Sequence, residues 1–165
     1  MTYQPQRFSA PDGTEMVVLT AADYERLAHQ VDGSLDALTE HLFSAKPHGE
    51  CLVAVENGLV VGYALFFTNF STFLTKPGMW LEDLYVTPSL RGKGLGKRLL
   101  TEVAYITVER DCARLDWVVA DWNSGAIAFY ESLGAERILH WQTCRIDGRA
   151  LLALGAASPF AELAS

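Results

Sequence analysis

Arg91-Gly92-Lys93-Gly94-Leu95-Gly96-Lys97-Arg98-Leu99-Leu100 is the stretch around which the chain is organised. Three glycines at alternate positions let the backbone turn tightly and bring its N–H groups close to a ligand. The apolar residues Leu95, Leu99, Val103 and Ile106 recur at helical spacing, so the glycines open a helix. The first turn of a helix leaves about four N–H groups unpaired at the positive end of the macrodipole, which favours an anion. Arg91, Lys93, Lys97 and Arg98 place four of the thirteen cationic residues here, in a chain of net charge -7. The spacing therefore predicts a phosphate cradle.

Two common phosphate motifs fail. A P-loop requires glycine five positions before Gly96 and Ser or Thr after Lys97, where Arg91 and Arg98 stand. A dinucleotide fingerprint requires a third glycine at position 97, where Lys stands. What matches is R-x-x-G-x-G, read as Arg91, Gly94 and Gly96, after a strand at Trp80–Val86 and a Thr87-Pro88-Ser89 turn. This resembles the acetyl-CoA pyrophosphate loop of the GCN5-related N-acetyltransferase (GNAT) superfamily. By itself the six-residue pattern also fits a plain strand-to-helix turn.

At 165 residues the chain is long enough for one domain with a substantial core. No apolar run approaches the roughly 18 residues that span a bilayer, and the N-terminus lacks the apolar stretch of a signal peptide. The expectation is a cytoplasmic protein with no membrane partner. A pI near 5.0 excludes general affinity for nucleic acid and favours cationic partners. Cys51, Cys112 and Cys144 are widely spaced and read as buried free thiols. His29, His41, His48 and His140 stand singly, without metal spacing, so no metal is expected.

In chain order, Tyr3–Phe8 reads as a short strand, and a helix is expected from about Asp12 through Met16 and Leu19 to His29. Leu35, Leu38, Leu42 and Phe43 mark a second helix, closed by Pro47 and Gly49. Cys51–Val55 and Leu59–Phe67 flank Asn57-Gly58, a strong hairpin signal. Asn69–Gly78 reads as a polar and aromatic loop before the strand at Trp80–Val86. A helix over about 94–111 and a strand over Arg114–Val119 complete a crossover, which makes the flanking strands parallel. Asn123 or Ser124 caps a helix over Gly125–Leu133, and Glu136–Arg145 and Ile146–Leu154 read as one or two further strands. Residues 155–165 are expected to form a loose tail.

This order over about residues 3–152 is similar to the whole N-acetyltransferase fold. The resemblance implies an α/β (α+β) single domain over 1–165, with a mixed sheet of about six or seven strands and about four helices. Ala22–Val31, Cys51–Ala54, Trp80-Leu-Glu-Asp-Leu-Tyr-Val86, and Ala120-Asp-Trp-Asn123 with Phe129-Tyr130 and Leu133-Gly-Ala135 resemble the diamine (spermidine/spermine) and thialysine N-acetyltransferase branch. Ile138, Leu139 and His140 stand where polyamine-selective relatives carry acidic residues before Trp141, which argues against long polyamines.

Acetyl transfer to a primary amine needs a neutral nitrogen, whereas an alkylamine has a pKa near about 10. The resemblance assigns Glu82 as the base, directly or through water, and Asp83 as a holder of the cationic amine. In a regular strand these neighbours face opposite ways, so both approach one ligand only if the strand is bulged or splayed; the alternative from spacing alone is a buried ion pair. The resemblance makes Tyr130 the acid for the leaving thiolate and Asn123 a coenzyme contact, beside its capping role. It also places pantetheine along the backbone of Leu84, Tyr85 and Val86, and pyrophosphate on Arg91, Gly92, Lys93, Gly94, Leu95, Gly96 and Lys97. Trp122, with Trp80 and Trp141, reads either as pocket wall or as core. The expected activity is acetyl-CoA-dependent N-acetylation of a small cationic amine by direct attack in a ternary complex, in a homodimer. Two alternatives are acetylation of a protein lysine or N-terminus, and a non-catalytic acetyl-CoA sensor.

Overall fold

The structure, a computed structural model, describes residues 7–9, 15–17 and 35–159. Its first elements are β1 (Arg7–Ser9) and β2 (Glu15–Val17), an antiparallel two-stranded sheet. The helix expected from Asp12 is therefore corrected at its start: Met16 lies in a strand opposite Phe8, because backbone pairing with β1 overrides the local helical spacing. The remainder of that expected helix, and residues 3–6 of the expected first strand, lie outside the described residues.

Helix α1 (Leu35–Phe43) ends where predicted, with His48 N donating to His41 O at 2.9 Å before Gly49. Strands β3 (Glu50–Glu56) and β4 (Leu59–Ser71) form the expected hairpin. Asn57 and Gly58 take φ of 53° and 76°, the paired positive values of a two-residue primed turn. β4 then turns directly into β5 (Lys76–Val86), with Asn69 opposite Gly78 and Phe70 opposite Pro77. The predicted loop over 69–78 is thus mostly an extension of both strands, and only residues 72–75 connect them. Pro77 is tolerated there because its carbonyl still accepts from Ala113 N at 2.8 Å while no N–H is required of it.

A single 3-10 turn (Pro88–Leu90) leads into α2 (Leu95–Glu109). Leu99, Leu100, Val103 and Thr107 are its buried face, and the Thr107 hydroxyl is satisfied by donating to Val103 O at 2.7 Å. Strand β6 (Leu115–Asp116) returns parallel to Met79 and Trp80, as the crossover predicts, but it is two residues long instead of the expected six. The main sheet has the order β3-β4-β5-β6. Its core includes Leu52, Val53, Tyr63, Phe66, Met79, Leu81 and Val103; full burial of such a side chain contributes about 1.5–3 kcal/mol. Among the described residues there are six strands in two sheets and four α-helices. Among the described residues the main sheet has four strands in place of the expected six or seven.

The chain divides into two compact units after Val118. The second contains α3 (Ser124–Glu131) and α4 (Gly148–Ala156). The strands expected over 136–154 are absent among the described residues: 148–156 are helical, in keeping with the helix formers of Arg149-Ala-Leu-Leu-Ala153. Gly155 and Ala156, expected in a loose tail, belong to α4, and residues 160–165 lie outside the described residues. No helix among the described residues is long and apolar enough to cross a membrane. The three cysteines are free, but Cys51 and Cys112 are only half-buried and Cys144 is exposed, which corrects the expectation of buried thiols.

Candidate active site

Leu65 pairs with Asp83 and Phe66 with Leu81, so Glu82 has no partner on β4 and is the extra residue of a β-bulge. β4 is regular there, which puts Leu65 and Phe67 on one face together with their partners Asp83 and Trp80. Trp80 and Phe67 lie ring to ring, centroids 6.4 Å apart. Trp80 Nε1 donates to Glu82 Oε2 at 2.8 Å, which draws the Glu82 carboxylate to the same face. The bulge thereby supplies what the sequence reading required, two adjacent acids on one side of one strand. Among the described residues neither acid has a cationic partner, so the ion-pair alternative finds no support.

The electrostatics of this face favour a cation. Burial, and then the charge of Glu82, push the Asp83 carboxyl above the ordinary carboxylate value. In the same cross-strand row Cys51 opposes Leu65, and burial, with a second contribution from Asp83, pushes its thiol up to about 12. Two dissimilar groups thus report a desolvated, negative surface that an alkylammonium would relieve.

The phosphate loop lies at the other end of the same strand. Gly92 and Gly94 adopt φ of 76° and 86°, left-handed values at which no atom would obstruct a Cβ, so conformation alone selects glycine. No side chain caps α2 at Gly94, and the first helical bond runs from Arg98 N to Gly94 O. The N-terminal turn is therefore open to an anion, with Lys93, Lys97 and Arg98 exposed around it. Arg91 is placed differently: its Nε donates to Val86 O at 2.9 Å and its guanidinium lies 5.9 Å from the Tyr85 ring centroid, bracing the loop against the strand end. Beside the loop, Lys93, Gly94, Leu95 and Arg98 line a cavity of about 360 Å³ with Ala54, Val55, Glu56, Val61 and Leu90.

Between acids and loop, Leu84, Tyr85 and Val86 pair with β4 on one edge, whereas β6 covers the other edge only at Met79 and Trp80. Beyond Trp80 that edge has no strand partner among the described residues. An extended amide-bearing ligand fits such an edge by adding itself as a strand. The uncapped helix and its cations thus suit a phosphate, and the edge beside them suits an extended, amide-bearing arm.

In the second unit Asn123 performs the capping role read from the sequence, its Oδ1 accepting from Ala126 N at 3.2 Å. Trp122 is exposed. Tyr130 packs against Phe129 with ring centroids 5.2 Å apart, and burial raises its hydroxyl above the ordinary phenol value, which keeps it protonated at neutral pH. Glu82, Asp83, residues 84–86 and the loop are thus brought together on one strand and its continuation. The sequence reading left Trp80 as wall or core; its hydrogen bond to Glu82 is the contact between residues two apart that a strand allows on one face, and the bulge adds Asp83 to that face.

The model of the acetyltransferase (GNAT) family matches residues 15–135. A mouse thialysine N-epsilon-acetyltransferase is 36% identical over 141 residues, 79% of this chain and 82% of that protein. An L-ornithine N5-acetyltransferase of Arabidopsis thaliana is 45% identical over 96 residues, 58% of this chain but only 42% of its own length. Among solved structures, an integron cassette protein of V. cholerae superposes with a TM-score of 0.70 at 30% identity, covering 83% of this chain and 86% of that one. The glycine loop, the strand bearing the acids and these matches agree: the chain belongs to the acetyltransferase (GNAT) family and is an N-acetyltransferase.

Proposed function

We propose that the protein acetylates the primary amine of a small cationic substrate, a diamine or a lysine-like amino acid, by direct attack in a ternary complex with acetyl-CoA. The observation that carries this reading is the Glu82 bulge, which sets two acids, without a cationic partner among the described residues, on one face of the strand leading into the phosphate loop. The mouse and Arabidopsis relatives both carry names that specify a side-chain amine of an amino acid, which favours the lysine-like substrate.

In this reading Asp83 holds the substrate's ammonium group and Glu82 removes one proton, directly or through water. Acetyl-CoA, when bound, supplies an acyl carbon activated as a thioester. The freed nitrogen forms the new C–N bond as the C–S bond breaks and gives up its second proton to solvent, as Glu82 does the first, while Tyr130 gives its proton to the departing sulfur and regains one from solvent. The balance is one amide, one thiol and one released proton. Leu84, Tyr85 and Val86 align the pantetheine arm, residues 91–97 bind the pyrophosphate, Asn123 contacts the coenzyme, and Trp122 forms part of the substrate wall. Proximity supplies much of the rate. The family match runs without a break across Val118, which supports one catalytic domain over 1–165. The reading includes a cytoplasmic homodimer, for which sedimentation at twice the chain mass is the expected result and a monomer the contradicting one.

Initial rates with acetyl-CoA against putrescine, spermidine, lysine, thialysine, ornithine and a lysine peptide, read by thiol release, test the proposal. Saturable turnover is expected on a small diamine or a lysine-like amino acid, and poor turnover on spermidine. A rate on the peptide far above every free amine would instead indicate a protein substrate, and tight acetyl-CoA binding without any turnover would indicate a sensor.

A further inference from the structure

Glu82 is the one residue of the acid-bearing strand that the sheet does not fix. As the extra residue of the bulge it lacks a cross-strand neighbour, and a glutamate side chain left alone samples many rotamers. The structure gives it one polar anchor, the Trp80 indole N–H on Oε2 at 2.8 Å. Trp80 is itself held, opposite Phe67 on β4 with the two rings in contact, and through parallel pairing with Asp116 on β6. The chain of support therefore runs from the closed part of the sheet, through a rigid ring, to the mobile carboxylate.

We propose that Trp80 is a positioning residue for Glu82: its indole N–H holds Oε2 so that Oε1 stays directed at the substrate amine. This rests on the reading of Glu82 as the base. The choice of an indole has a chemical logic. A lysine or arginine at the same point would orient the carboxylate too, but its charge would cancel the field that attracts an ammonium group. A hydroxyl rotates and also accepts, so it fixes direction less firmly. An indole donates only, carries no charge and does not lose its proton in the working pH range, so it orients the base without competing for the proton that the base takes. The ring also leaves an apolar surface beside the acids, on which the substrate's methylene chain can lie.

The test is a double-mutant cycle with Trp80→Phe and Glu82→Gln, run on the best amine from the panel. Trp80→Phe alone is expected to lower kcat about tenfold, the worth of one charge-assisted hydrogen bond in the transition state, with KM for acetyl-CoA unchanged. In the Glu82→Gln background the same substitution is expected to change kcat less than about twofold, because the group being positioned no longer acts as base. An equal loss in both backgrounds would show that the ring serves only as a wall and would overturn the proposal. Should Glu82→Gln leave the rate untouched, the base reading itself fails, a result distinct from loss of the coupling. A second measurement is independent of turnover: in ¹⁵N-labelled protein the Trp80 indole N–H resonance, identified by its loss in Trp80→Phe, is expected to move upfield in Glu82→Ala. An unmoved resonance would overturn the hydrogen bond on which the proposal stands.

Discussion

The two halves of β5 are one strand with two different fates. From Lys76 to Leu81 it is enclosed: β4 pairs along one edge, Pro77 and Met79 meet residues 113–115 on the other, and Gly78, Met79 and Leu81 are buried. From Glu82 to Val86 only the β4 edge is paired, and both acids reach solvent. One bulged residue divides them. The closed half shows what holds the sheet, apolar burial and, from Pro77 to Trp80, backbone contacts on both edges. The open half shows what function requires, a desolvated but accessible acid pair and an unpaired edge, and neither can exist where the strand is covered on both sides. Stability and chemistry are separated along a single strand by about one residue.

The largest effect expected from this difference is in thiol chemistry. Cys51 shares its row with Asp83, and burial, then that charge, push its thiol up to about 12, whereas Cys144 is exposed, so at neutral pH Cys51 should react with a maleimide about a hundredfold more slowly. Asp83→Asn should bring the two rates closer; equal rates in the unaltered protein would deny the desolvated, negative face. Next come two glycines, Gly62 opposite Val86 at the end of the open half and Gly78 within the closed half. A Cβ on Gly62 would lie 2.8 Å from Tyr85 O and 3.2 Å from Leu99 Cδ1, so Gly62→Ala should cost about 1–3 kcal/mol in urea unfolding. At Gly78 the obstructing atom is the side-chain Oδ1 of Asn69, which can turn away, and Gly78→Ala should cost less.

Asp83→Asn sharpens the comparison from the side of function. Loss of the charge should raise KM for the amine about tenfold. The fold raises the Asp83 pKa, so ionised Asp83 opposes folding at pH values above the raised value, and that penalty disappears as pH falls through it. The variant should therefore melt slightly higher than the unaltered protein at neutral pH and at the same temperature in acid. A lower melting point at neutral pH would contradict the sign. The smallest effect lies at Glu50, where a two-oxygen ion pair with Arg110, at 2.5 and 2.7 Å, joins β3 to the end of α2. The Arg110 hydrogen bonds hold Glu50 below the ordinary value, with burial opposing. Its stabilisation is thus present above the unfolded value and lost as pH falls through the folded one; being half exposed, the pair should contribute about 1 kcal/mol or less, read as a reduced acid sensitivity of Glu50→Gln.

Where local chemistry is decisive, the sequence was legible. Asn57-Gly58 admits almost one kind of turn, the alternating glycines at 92, 94 and 96 announce a loop before a helix, and Asn123 announces a cap; each is found. Where pairing is decisive, the reading failed. Pro77 and Gly78 suggested a loop, but β4 and the 113–115 segment hold them in a strand, and Glu15–Val17 exchanged a helical spacing for pairing with β1. The strands read over 136–154 around Asp147-Gly148 likewise failed, because the Ala and Leu content of Arg149–Ala153 favours the helix observed at Gly148–Ala156. For the site, residues 82 and 83 were identifiable by their place in an apolar strand, and the need for a bulge was deducible. That the bulge falls on Glu82 depends on register between strands, which a one-dimensional pattern does not contain; the Trp80 contact, between residues two apart on one face, was open to the reading and was not drawn.

The central claim is that Glu82, released from the ladder by the bulge, removes the amine proton. The most direct test is kcat/KM for the amine as a function of pH in the unaltered protein and in Glu82→Gln. A loss of about 10²-fold or more is predicted near neutral pH, shrinking toward pH 10 as the amine surrenders its proton unaided. An unchanged rate, or a loss of constant size across the whole range, would contradict it.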